Sequence, residues 1–379
     1  MISALFFIAI WWAPAGLSET GYFFWFLGVS LLFYTGFTVF GVPYLALGYE
    51  LSPDYHERTR VMAFRTWFAS VGGIGIQWLF WLTQRDMFEN TVEGMRWVGL
   101  CVGVVLLLCA AAPGIFIKER RLTDAERSHN RENIKFRGMF GVFKVKPFLY
   151  IFGALITAVL GMFMVAILGF YINVYYVFGG DLKASSTVIG VSGSFYHLCC
   201  LLSVPLITWT STRMGKRKTL MIFLGLAIAG TIGKWWLFTP AAPYAQLIVT
   251  GLMAPGLSAL WTLLGSMIAD VTDYDELENG TRREGSFGAI YNWTLKLGFA
   301  ICFLIAGLIL QASGFDEKLG GAQSEDTIIT LRFLYSALPA AGLAAAIFCI
   351  WRFPIDEAKA GEIREALKQR KKNNSGQMD

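Results

Sequence analysis

The chain has 379 residues, 55% of them hydrophobic and only 16% charged, with a formal net charge of +5. Its mean hydropathy is +0.52. So apolar a composition excludes an ordinary water-soluble domain, where apolar and charged usage balance differently.

The apolar residues come in runs of about 20 or more, long enough to span a bilayer. Ten runs are predicted, at 2–15, 21–48, 61–83, 95–117, 147–177, 184–210, 219–239, 243–271, 285–311 and 328–353. The first opens directly from Met1 and is short for a full span. It lacks the basic lead of a signal peptide, and Trp11-Trp12-Ala13-Pro14 is a poor cleavage site. Tyr34, Thr35 and Thr38 put hydroxyls on the second run. They either face a cavity or bond within and between helices. After the second run comes a polar phrase, Pro53-Asp54-Tyr55-His56-Glu57-Arg58-Thr59-Arg60, and Arg65 lies just over one turn into the third run.

A basic, poorly periodic loop, 118–146, follows the fourth run and reads as a linker. This divides the chain into a four-helix N-terminal bundle (1–117), the linker, a six-helix C-terminal bundle (147–353) and a tail (354–379). In the second bundle, His197 sits in the sixth run, where a packed histidine and a proton relay are both open readings. Thr212-Arg213-Met214-Gly215-Lys216-Arg217-Lys218 joins the sixth run to the seventh, and Lys234, beside Trp235 and Trp236, reads as an interfacial anchor. The polar phrase recurs after the eighth run as Asp273-Tyr274-Asp275-Glu276, then Thr281-Arg282-Arg283-Glu284. Recurrence at matching helix ends implies two similar halves, as in transporters built from repeats. Putting the halves in register leaves the first half two helices short, so the chain is expected to start partway through a twelve-helix fold.

Lys and Arg crowd alternate loops: Lys118 to Lys146, Arg213 to Lys218, and Arg364 to Lys372. The positive-inside rule then places both termini in the cytoplasm of a multi-pass protein of the plasma membrane (a cell inner membrane). Topology accounts for these charges, so no nucleic-acid partner is expected. All six cysteines lie inside apolar runs without metal spacing. The sequence carries no nucleophile motif, P-loop, metal cluster or dinucleotide fingerprint, and neither an enzyme nor an organic cofactor is expected.

Val42 to Arg60, together with Ala269-Asp270-Val271-Thr272-Asp273-Tyr274, Arg282-Arg283-Glu284-Gly285 and Lys296-Leu297-Gly298, resembles the glycoside–pentoside–hexuronide:cation symporters. These form the melibiose-permease-like branch of the major facilitator superfamily. The resemblance implies an all-α membrane fold of two helix bundles. It also implies uptake of a sugar or glycoside driven by Na+ or H+, by alternating access. About ten of twelve helices are then present, and the coupling-cation site belongs to helices this chain lacks. On the second run, Gly41 and Leu45 stand where melibiose permease has its sugar-binding aspartate and a tryptophan.

An ionisable group inside an apolar run is costly, so it usually faces a water-filled path or a partner. Lys296 sits near the middle of the ninth run, with Asn292 one turn earlier and Trp293 on the i, i+3 row. Hydroxyl partners beside an aromatic edge suit a sugar. The resemblance adds Arg65 and Trp261 to the site region, and Tyr34 and Thr38 complete the candidates. For Lys296 the competing reading is a salt bridge to another helix; for Trp261 it is packing. Asp54, Arg58, Arg60, Asp270, Asp273, Arg282 and Arg283 lie at predicted cytoplasmic helix ends and are read as a gate whose pairs form and break with closure. The partners expected are a small solute and the lipid bilayer, and the protein is expected to be a monomer. Two alternatives stay open: transport of a lipid-like or other amphipathic solute on the same fold, and a truncated, non-transporting remnant.

Overall fold

The computed structural model describes residues 2–50, 67–116, 140–281 and 283–375. Among them there is no β-strand, and eight helices are long and apolar enough to cross a membrane. The chain divides into two compact units, one of 1–132 with 189–194 and one of 133–188 with 195–379.

In the first unit, α1 (Ile2–Trp11) packs against α2 (Glu19–Glu50) and α4 (Thr91–Phe116). Proline cannot continue a helix interior, and α1 ends short of Pro14. The chain is helical over 67–77 and again in α3 (Leu79–Thr83), which packs on α4. Pro43 lies inside α2. Arg65 and the first polar phrase fall outside the described residues.

The second unit holds α5 (Lys146–Phe163), α6 (Leu182–Met214) apart from 189–194, α7 (Lys216–Leu237), α8 (Gln246–Asn279), α9 (Glu284–Ala312), α10 (Glu325–Arg352) and α11 (Glu357–Ser375). α5 packs on α9 and α10, while α7 lies against both α8 and α10. The core is formed by fully buried side chains such as Phe148, Leu155, Leu224, Leu260 and Phe287. Lipid tails are as apolar as leucine, so helices in a bilayer gain most by close backbone approach at small residues. α5 and α10 do this at Gly161 and Gly342: a Cβ on Gly342 would stand 2.6 Å from the Gly161 Cα and 2.6 Å from the Thr157 carbonyl oxygen. Gly298 plays the same part between α9 and α5, where its Cβ would meet Val159 at 2.9 Å.

Three features depart from the simplest reading of the apolar runs. First, α5 is discontinuous. It breaks at Met164 and Val165, restarts over Ala166–Tyr171 and ends in a π-turn, Ile172–Val177. Second, α8 runs to Asn279, beyond the predicted 271, because ion pairs hold its last turns and Gly280, at φ +72°, supplies the left-handed cap. Third, the tail is a helix. α11 packs on α8, and Ile363 and Leu367, one turn apart, are buried in the core of the bundle.

Lys234 corrects its reading as an interfacial anchor. It is only 5% exposed. Its ammonium lies 3.8 Å from the centre of the Tyr335 ring and 3.4 Å from the Tyr335 carbonyl oxygen. Packing between α7 and α10 encloses the side chain more completely than its nearness to the helix end suggested.

Candidate functional site

α9 carries the densest set of predicted residues. Asn292, Trp293 and Lys296 are all exposed, and they share one helix face. The opposite face, with Thr294, Gly298 and Cys302, is buried against α5. The amide of Asn292 donates to the Gly288 carbonyl at 2.9 Å, which holds its side chain along the stripe and leaves its oxygen available. Trp293 is 49% exposed. Among the described residues Lys296 has no carboxylate partner, so the salt-bridge reading of Lys296 has no support there.

Trp261 is half-buried on α8, and its ring centre lies 6.4 Å from that of Phe163 on α5. Phe163 in turn meets Phe299 of α9 edge-to-face at 4.8 Å. Phe299 follows Lys296 by three residues, so the aromatic series runs up to the polar stripe. Phe163 and Phe299 were not among the predicted site residues. Nothing in a run of apolar residues distinguishes an aromatic that packs in the core from one at a helix break.

In the first unit, Tyr34 is 64% exposed. The Thr38 hydroxyl donates to the Tyr34 carbonyl at 2.8 Å and that of Thr35 to the Leu31 carbonyl at 2.7 Å. Both hydroxyl hydrogens are therefore used within the helix, leaving only acceptor capacity for a ligand. Arg65, Asp54, Arg58, Arg60 and Arg282 lie outside the described residues.

The rest of the predicted gate is an ionic cluster at one end of the C-terminal bundle. Asp270 is buried at 6% exposure and accepts from the Lys216 ammonium at 2.5 Å and the Arg364 guanidinium at 2.6 Å, one on each oxygen. Asp273, three residues on, is also engaged. Arg283 grips the fully buried Asp275 through two bonds of 2.8 and 2.5 Å, and Asn279 adds a third at 2.8 Å. The hydrogen bonds to Asp275 push the Arg283 guanidinium pKa up, against the opposing effect of burial. Asp275 and Arg364 were absent from the predicted gate. Asp275 stands in the quoted phrase, one turn before Asn279. Arg364 was read only as part of a basic tail, because its partner is 94 residues away in sequence.

His197 packs edge-on against Tyr196 at 5.4 Å, and among the described residues it makes no hydrogen bond.

Residues 1–357 match the family described as MFS/sugar transport protein. An uncharacterized symporter of Synechocystis is 25% identical over 98% of this chain and 82% of its own length. The sodium-dependent lysophosphatidylcholine symporter 1 of Gallus gallus is 25% identical over 98% of this chain and 74% of its own. A glucuronide carrier protein homolog of Escherichia coli is 28% identical, over 45% of this chain and 36% of its own. The crystal structure of a D-xylose-proton symporter superposes with a TM-score of 0.58 at 17% identity, over 95% of this chain and 81% of that one. The family match, the apolar helices and the two contact-defined units agree: the chain is a multi-pass integral membrane protein and belongs to the MFS/sugar transport protein family of the major facilitator superfamily.

Proposed function

We propose that the protein is a cation-coupled symporter of a sugar or glycoside that works by alternating access. The observation that carries this reading is Lys296: a cation midway along a membrane-spanning helix, exposed, without a carboxylate partner among the described residues, and flanked by Asn292 and Trp293. Such a group is costly in hydrocarbon and suits a water-filled path that a polar solute enters. Amine and amide supply hydrogen bonds to hydroxyls, and the indole supplies an apolar face. The glucuronide carrier homolog among the relatives supports a sugar-like solute. Na+ or H+ supplies the driving force. In this reading the protein is a monomer in the plasma membrane with both termini in the cytoplasm, and the Asp270 and Asp275 clusters belong to the cytoplasmic gate.

The test is uptake of labelled glycosides into proteoliposomes, with and without sodium and proton gradients. Lys296→Ala is expected to abolish gradient-driven uptake while leaving insertion and monodispersity intact. Uptake equal to wild type removes Lys296 from the site.

A second reading, transport of an amphipathic, lipid-like solute, is favoured by one feature of the first unit. A cavity of about 580 Å³ there is lined by Phe33, Phe37, Phe40, Tyr44, Leu106 and Cys109. Such a lining suits an alkyl or aromatic tail better than sugar hydroxyls, and the relatives include lysophosphatidylcholine symporters. Competition of glycoside uptake by lysophospholipids separates the two readings: competition by sugars alone supports the first.

A further inference from the structure

α5 is broken at the level of the aromatic series. Phe163 is the last residue before the interruption, and Val165, at φ −103° and ψ 1°, leaves the helical region. Discontinuous membrane helices recur at transporter binding sites because a break frees side chains and backbone from regular packing. Around this break Gly161, Met162 and Val165 are buried, Met164 is half-buried and Ala166 is exposed. Phe163 is half-buried, so part of its ring reaches open space.

Depth agrees with a shared site. A helix rises 1.5 Å per residue, so along their own helices Phe163, Trp261 and Phe299 lie about 23–27 Å from the end of the bundle that carries the ionic cluster, and Lys296 about 18 Å. Lys296 therefore stands roughly one turn from the rings and Asn292 roughly two, on the same helix as Phe299.

The ring of Phe163 is also held firmly. Phe299 meets it at an interplanar angle of 85°, and Trp261 tilts at 48° beside it. The backbones beneath are pinned on two sides. Gly161 and Gly342 bring α5 against α10, while Gly298 and the Cys302 thiol, 3.5 Å from the Val159 carbonyl oxygen, bring α9 against α5. An aromatic surface fixed in this way loses little entropy when a ligand settles on it.

We propose that Phe163 is a specificity-determining residue: with Trp261 it forms the surface on which the C–H face of a sugar ring stacks, while Lys296 and Asn292 take the hydroxyls. This rests on the glycoside reading above. A flat ring face against aromatic rings, with hydrogen-bonding groups to one side, matches the two chemistries of a pyranose. An alkyl chain makes the same contact with any apolar side chain and does not distinguish phenylalanine from leucine.

The experiment compares Phe163→Leu with Phe163→Tyr in full-length protein in proteoliposomes, using a panel of glycosides and lysophosphatidylcholine. Aromatic contact beyond simple area burial corresponds to about 2–10-fold in affinity. Leu at 163 is expected to raise KM for the transported glycoside by that factor with kcat little changed, and Tyr to restore it. Phe299→Leu, which removes the ring that orients Phe163, is expected to raise KM in the same direction by less. Thermal unfolding of each purified variant identifies loss of fold, and if Phe163→Leu fails to fold, the Phe299→Leu and Phe163→Tyr results decide. Equal KM for Leu and Tyr at 163 overturns the assignment alone, as does an effect confined to kcat, or no change of KM in Phe299→Leu. Wild-type protein that carries no glycoside overturns the glycoside reading, and this assignment with it.

Discussion

Asp270→Asn removes a charge that two cations share, and the structure sets the size of the loss. Each arm is a charge-assisted bond, of about 1.5–3 kcal/mol where shielded from water. The shielding differs between the arms, since the Lys216 side chain is 29% exposed and that of Arg364 54%. Exposure and screening reduce the Arg364 arm to about 0.5–1 kcal/mol. The Lys216 arm retains about 1.5–2 kcal/mol, since its carboxylate partner is buried. Asp270→Asn is therefore expected to cost about 2–3 kcal/mol, and Arg364→Gln alone about 0.5–1 kcal/mol. The assay is unfolding of the purified protein in detergent, followed by tryptophan fluorescence, for both single variants and the double variant. The coupling energy of that cycle reports the Arg364 arm, and raising the salt should shrink it. Two results refute the reasoning: a cost below about 0.5 kcal/mol for Asp270→Asn, or a cost for Arg364→Gln equal to that of Asp270→Asn.

Two further predictions probe the packing of the C-terminal bundle. Gly342→Ala is expected to cost at least about 2 kcal/mol, because its Cβ meets backbone rather than a flexible side-chain end, whereas Gly225→Ala, in open space within α7, should be neutral or stabilising by up to about 1 kcal/mol. Unfolding of the two variants in parallel checks this, and equal effects would refute the close α5–α10 approach. Lys234→Met replaces an enclosed ammonium, which has one carbonyl and one ring face as partners, with an apolar chain of similar length. It is expected to leave stability unchanged or raise it, and a loss above about 2 kcal/mol would show that the buried charge supports the fold.

The order of the membrane helices, and the extent of some, could be read from the sequence, because a membrane span needs about 20 apolar residues and a bilayer tolerates few charges within them. The predicted run 285–311 became Glu284–Ala312, and 328–353 became Glu325–Arg352. Lys296, Asn292 and Trp293 could be placed on one face of one helix from spacing alone, since helical geometry fixes which neighbours share a face.

Contacts between distant segments were not accessible in this way. α11 reads as a charged tail because few of its side chains are apolar, with Ile363 and Leu367 buried in the bundle and Ala360 packed beside them. Arg364 and Lys216 meet at Asp270 only once three helices are assembled. Lys234 lies near a helix end in sequence, yet α10 closes over it. The break at Met164 and Val165 leaves no mark in a continuous apolar run, and neither does the approach of Phe163 to Trp261 on another helix. Hydropathy and spacing thus determined which segments enter the membrane and which side chains share a helix face, both local properties of the chain. The tertiary structure alone decided which charges are paired and which aromatic rings meet, because those depend on segments far apart in sequence coming together.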